Sequence, residues 1–371
     1  MSRASAALQS IAASSPKALR RFAARPCLAS LRLVACLASL SLVACNESSP
    51  SADDAGVDHH ADMYLATDAA PSPRDVYAGP PLLSATGLYT SLAAGTLAAD
   101  VLAYDVRFPL WSDGATKQRY LALPAGTQID TSDANRWIFP VGTRAWKEFR
   151  VDGARVETRY FVKVAADRWE HVAYLWRADG SDADARPSGL PDALDTTHDV
   201  PDLRACNDCH RGSADGLLGV SALQLATGTL DPLLPRLAAG GWLSAPITVS
   251  TAVPGDAPTQ AALGYLHANC GHCHGDVHPL GTQRALRLAL PLGVLTVDAA
   301  PLLRTALGAA MQHDVDGTTI GIVAGAPEAS QLWVRMQHRS DQWQMPARGS
   351  EQVDIDGSAQ VRRFIESLAA P

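Results

Sequence analysis

Arg144-Ala145-Trp146-Lys147-Glu148-Phe149-Arg150-Val151-Asp152-Gly153-Ala154-Arg155-Val156-Glu157-Thr158-Arg159-Tyr160-Phe161-Val162-Lys163-Val164 sets the fold class. Val156, Thr158, Tyr160, Val162 and Val164 alternate with Glu157, Arg159, Phe161 and Lys163, the period of a strand with two unlike faces. Asp152-Gly153 separates this strand from Arg144–Val151, and its residues suit a type I′ hairpin turn, which needs positive φ. A third alternating run, Trp169–Trp176, follows the polar break Ala166-Asp167. Period two dominates from Leu82 to about Ala183, and five of the eight tryptophans (Trp111, Trp137, Trp146, Trp169, Trp176) fall there. An antiparallel, sandwich-like β-domain is therefore expected, closed by a polar, Pro-containing connection from Arg186 to Pro201. The aromatics read as core and sheet-face packing, with a carbohydrate or ligand cleft as the alternative.

Beyond that connection the alternation fades and helical patterns replace it. Thr259–Asn269 is expected to be a helix leading into Cys270. Ser358–Leu368 is a second, with Val361, Phe364, Ile365 and Leu368 on one face. The class is α+β, and 371 residues leave room for two modest domains plus appendages.

The N-terminus carries a basic leader (Arg3, Lys17, Arg20, Arg21, Arg25, Arg32) and then the apolar run Leu33–Ala44. A run of that length fits the core of an export signal and is too short to span a bilayer. Leu42-Val43-Ala44-Cys45 reads as a lipobox with Cys45 as the lipidated residue, so residues 1–44 are expected to be a signal peptide. Leu33-Val34-Ala35-Cys36 competes less well, because the apolar run continues past it; a plain cleaved signal is the alternative. Residues 45–80, rich in Ser, Ala, Asp and Pro, read as a disordered tether, and His59-His60 within it as a solvated pair. Removing the six cations of the leader from a chain of formal charge −7 leaves −13. So acidic a chain argues against nucleic acid as a partner and suits a basic redox protein.

Of seven cysteines, Cys27, Cys36 and Cys45 belong to the leader or anchor. The other four form Cys206-Asn207-Asp208-Cys209-His210 and Cys270-Gly271-His272-Cys273-His274. Two residues between cysteines place both thiols where they can add to the vinyl groups of one haem, and the adjacent His falls beneath the iron. Two covalent haem c groups are thus expected, with Cys206, Cys209, His210, Cys270, Cys273 and His274 as attachment and axial residues. A four-thiolate zinc cluster or a pair of disulfides would use the cysteines but not the histidines. Met345-Pro346, 71 residues after His274, offers a distal ligand for the second haem; Met336, inside an apparent helix, is weaker. No methionine lies between His210 and Cys270. The first haem's distal ligand is therefore a histidine (His267, His198, His278 or His171, with His267 foremost) or a residue from further away, or the position is open.

Further segments carry a resemblance: Leu83-Ser84-Ala85-Thr86-Gly87-Leu88-Tyr89, Tyr104-Asp105-Val106-Arg107-Phe108-Pro109-Leu110-Trp111-Ser112-Asp113 with Lys117-Gln118-Arg119, and Trp137-Ile138-Phe139-Pro140-Val141-Gly142-Thr143. With Glu157-Thr158-Arg159, Tyr174-Leu175-Trp176, both haem motifs and the Met-Pro pair, they resemble an uncharacterised bacterial family of exported dihaem c-type cytochromes. The likeness runs from about residue 82 to the end. It implies an N-terminal β-rich domain (81–200), a mainly helical cytochrome c-like dihaem domain (201–371) and an extracytoplasmic location. Trp111 stands where Phe is more usual, and Phe364-Ile365 where Trp-Ile is common.

The expected function is electron transfer by a periplasmic lipoprotein that touches a membrane only through its lipid and serves an unidentified redox partner. A dihaem peroxidase-like enzyme with an open first haem is the alternative. A third reading is a binding protein whose β-domain recognises a ligand, the haem being accessory.

Overall fold

The computed structural model describes residues 77–228, 230–279 and 285–369. The signal peptide, Cys45, His59-His60 and nearly all of the tether lie outside the described residues. Among the described residues no helix is long and apolar enough to cross a membrane.

A short ribbon, β1 (Tyr89–Ser91) and β2 (Thr96–Leu97), precedes a six-stranded antiparallel meander. Its strands are β3 (Leu102–Tyr104), β4 (Thr116–Ala122), β5 (Arg144–Val151), β6 (Ala154–Ala165), β7 (Arg168–Trp176) and β8 (Ala183–Ala185), paired in chain order. The hairpin at Asp152-Gly153 forms as the sequence predicts, with φ of 49° and 83°. Helices follow: α1 (Leu203–His210), α2 (Ala222–Leu225), α3 (Leu233–Ala239), α4 (Ala257–Asn269), α5 (Pro301–Ala306), α6 (Gln331–Gln337) and α7 (Ile355–Ser367). A second ribbon, β9 (Ala310–Val315) with β10 (Thr318–Ile320), lies between α5 and α6.

The α+β class and the antiparallel sheet are as expected; the sandwich is not. No second large sheet faces the first among the described residues. One face, carrying Tyr120, Trp146, Tyr160, Tyr174 and Trp176, is covered by Leu83, Leu88 and Tyr89. Its indoles are satisfied internally: Trp146 Nε1 donates to Thr86 Oγ1 and Trp176 Nε1 to Thr158 Oγ1, both at 3.0 Å. Trp146 stacks on Tyr160 with centroids 5.5 Å apart, a contact of about 0.5–1.5 kcal/mol beyond its area burial. These tryptophans are core, as the sequence suggests.

The opposite face is buried too, by the helical part. Tyr104, Leu121 and Phe161 share a core with Leu217, Leu225, Leu233 and Leu237. Packing is therefore continuous across the boundary expected near residue 200, and the described residues all fall in one compact unit. A third cluster joins α4 to α7 through Leu263, Leu266, Val361, Phe364 and Ile365, with Met336 of α6 inside it. Gly357 lets the Tyr265 ring lie directly against α7, where a Cβ would collide with it.

Candidate functional site

The first Cys-x-x-Cys-His motif forms most of α1. Asp202 caps the helix by accepting from Ala205 N at 2.7 Å, and Leu203 anchors it in the core. The i, i+3 spacing puts Cys206 and Cys209 on one side of the helix. His210 ends it, and its Nδ1 lies 2.8 Å from Gly216 O. A carbonyl only accepts, so Nδ1 carries the proton and Nε2 is left with its lone pair for a metal, the arrangement usual for metal-binding histidines. Burial holds the ring well below the usual imidazole range, only partly opposed by the Gly216 contact, so it is neutral. Phe161 of β6 stacks on the His210 ring (centroids 4.2 Å), and His171 of β7 stacks near Phe161 (5.2 Å). The Gly216 loop is fastened by a buried ion pair: Asp215 binds Lys163 Nζ at 2.7 Å and also accepts from Phe139 N.

The second motif follows α4, which Asp256 caps through Thr259 N at 3.1 Å. Buried Asn269, just before Cys270, accepts from Trp111 N at 2.7 Å and donates to Tyr265 O at 3.0 Å. Gly264 lets the Phe108 ring lie on α4, where a Cβ would overlap it. The segment Phe108–Asp113 thus seats the second motif from the sheet side. Asp113 also receives Glu351 N at 3.0 Å and Gln352 N at 2.9 Å, which ties that segment to the loop after Met345-Pro346. Met345 is half-buried, and its N donates to Arg335 O at 3.0 Å.

The two motifs are neighbours. Gly212, just past the first, lies against the carbonyl of His272 in the second, where a Cβ would clash. Arg348 pairs with Asp208 inside the first motif (3.3 Å), and its charge also acts on Cys273. Burial pushes the thiols of Cys206, Cys270 and Cys273 up to about 12 and raises that of Cys209, so all four stay protonated. Such thiols are poor redox nucleophiles. All four cysteines are free. Nor do they converge as a zinc cluster would: among the described residues the one group of three or more potential ligand atoms is Asp192, Asp199 and Glu351, exposed apart from Asp199.

The four histidines expected opposite the first haem each have a partner within the protein. His198 Nε2 lies 2.7 Å from Glu157 Oε2 and His171 Nε2 lies 3.3 Å from Leu203 O, both buried. His267 Nδ1 accepts from Leu290 N at 3.0 Å. Burial, then the charge of His272, pulls it down to about 4, which associates it with the second motif. His278 bonds to the first motif itself: its Nε2 is 2.9 Å from Asp208 O and 3.2 Å from Arg211 Nε, donating in one tautomer and accepting in the other. Met336 is core.

No family model, curated protein or solved structure matches this chain. The site therefore has to be read from its own chemistry. The Gly216 carbonyl, Phe161 and the Lys163–Asp215 pair carry no motif that would mark them in the sequence. The one available signal was the charged residues inside strands, at Arg119, Lys147, Arg159 and Lys163.

Proposed function

We propose that this chain is an extracytoplasmic c-type cytochrome that carries two covalent haem groups and exchanges electrons with a protein partner. The supporting observation is the tautomer of His210: the Gly216 carbonyl fixes the proton on Nδ1 and frees Nε2 on the residue that follows Cys209. The four free thiols and the contact between the motifs fit the same reading. Haem supplies a one-electron change at iron, its potential set by axial ligands and surroundings. Each thiol of Cys206, Cys209, Cys270 and Cys273 would add its S–H across one vinyl C=C, a balanced addition without oxidation. His210 and His274 would be the proximal ligands, and Met345 a distal ligand. Phe161 and the shared core keep water from the His210 ring.

On this reading the helical part is the cytochrome c-like region and the sheet its wall. The lipobox would make Cys45 a lipid anchor on the periplasmic side of a bacterial membrane, and the acidic mature chain would attract a basic redox partner. Mass spectrometry of the mature chain tests it: two haem masses and a lipid are expected, and a bare polypeptide overturns it.

The peroxidase-like alternative rests on one observation, that His198 and His171 have Nε2 committed to protein acceptors. A high-spin ferric signal with peroxide reactivity would favour it. Two low-spin haems inert to peroxide would exclude it.

A further inference from the structure

Three cations stand side by side across the buried face of the sheet. The register pairs Arg119 of β4 with Lys147 of β5, and Lys147 with Arg159 of β6. Like charges directly opposite one another destabilise a sheet, so this row needs compensation. Arg159 has it, in a two-bond pair with Glu157 at 2.6 and 3.0 Å. Among the described residues, Arg119, 7% exposed, makes one ion pair, a long one to Asp105 at 3.5 Å. Lys147 makes no hydrogen bond or ion pair among the described residues; its ammonium lies 5.9 Å from the Phe149 ring and feels the Glu157 carboxylate without contact. A fourth cation, Lys117, pairs with the Leu110 and Ala115 carbonyls rather than with an acid.

The row faces the motifs. Phe161, two residues after Arg159 and on the same side of the strand, stacks on His210. The charge of Arg159 reaches Cys206 and Cys209, and that of Lys147 reaches His210 and His272. The surplus cation is therefore directed to the place where the two motifs meet.

The geometry points to an anion site on Arg119, Lys147 and Arg159 that takes a carboxylate or small oxyanion beside the motifs. Its source is either a haem propionate or a diffusible anion; the first rests on the cytochrome reading and the second does not. Burial and the neighbouring cations, opposed more weakly by Glu157, hold Lys147 down to about 7, and a further anion in the row would relieve this. Arg119 and Arg159 supply planar donors suited to carboxylate and oxyanion geometry, and Lys147 a point charge between them.

The sign of one stability measurement tests the site. At pH 6, where Lys147 is charged, Lys147→Met in an empty row removes like-charge repulsion and raises the urea midpoint of the full-length mature protein. In an occupied row it removes a counter-charge and lowers it, while Lys147→Arg holds the wild-type value. Inorganic phosphate is the probe for source. If the anion is diffusible, phosphate raises the wild-type midpoint in a saturable way and leaves Lys147→Met unmoved. If it is a propionate, wild type ignores phosphate, and Lys147→Met lowers the reduction potential of one haem while the haem mass stays unchanged. A raised midpoint in Lys147→Met, with potentials and phosphate response unchanged, overturns the site. A chain without haem removes the propionate arm alone and leaves the phosphate arm to decide.

Discussion

Lys163 Nζ lies 2.7 Å from both carboxylate oxygens of Asp215, one residue before the carbonyl that holds His210 Nδ1. Lys163 is 1% exposed and lends its remaining reach to Phe139 O at 2.8 Å, so strand β6, the Phe139 segment and the 213–217 loop are locked together. The His210 ring is thus oriented by an ion pair that never touches it.

Lys163→Met leaves the Asp215 carboxylate buried without its cation. Removing one partner of a buried pair costs about 3–5 kcal/mol. Urea unfolding should show a loss of that order, and the first haem's absorbance should broaden as His210 loses its fixed tautomer. Lys163→Met with Asp215→Leu should recover part of the stability, because no lone charge remains.

Replacing Cys206 and Cys209 together by Ala should remove one haem mass, and replacing Cys270 and Cys273 the other. The measurement is intact mass. Retention of both masses in either double variant would show that the motif does not attach the group.

Met345→Ala should abolish the methionine–iron absorbance of the ferric protein and lower one potential, since a thioether favours Fe(II). Met336→Ala should leave the spectrum unchanged and instead cost about 2–5 kcal/mol in urea unfolding, as for other buried methionines.

Gly264→Ala should force Phe108 off α4. Overpacking of this kind costs about 1–3 kcal/mol. The unfolding midpoint should fall, and the Phe108→Ala background should shrink the effect, because the colliding ring is gone.

Burial would raise Glu157, but Arg159 and then His198 hold it below its ordinary 4.5. A depressed folded value means that its stabilisation is complete above about 4.5 and is lost as the pH falls through the folded value. Glu157→Gln should therefore flatten the acid limb of stability against pH, while lowering stability at neutral pH by leaving Arg159 unpaired.

The β6 alternation was legible because both of its faces are regular, and Asp152-Gly153 because a positive φ leaves few residues to choose from. The same alternation could not say what covers each face. Glu157, Arg159 and Lys163 form a polar face in the sequence, yet Glu157 and Lys163 are almost fully enclosed, because the motif region supplies the second wall. That is also why the sandwich expectation failed: the layer that a sheet needs came from helices, not from strands. The two motifs were legible as local chemistry. Their contact was not, since it joins Gly212 to His272 across a fold that no spacing encodes. The Leu290 partner of His267 was not legible either, since it lies 23 residues on, in a stretch without a periodic signal.

The seat that Phe108–Asp113 makes for Asn269, with Asp113 reaching on to residues 351 and 352, bears on the order of events during biogenesis. Enclosure of the second motif requires three segments far apart in the sequence, Phe108–Asp113, Asn269 and residues 351 and 352, so it waits until the last of them is available. Until then Cys270 and Cys273 remain open to reagents; afterwards they are half-buried. Covalent modification of these thiols would thereby be timed by chain topology.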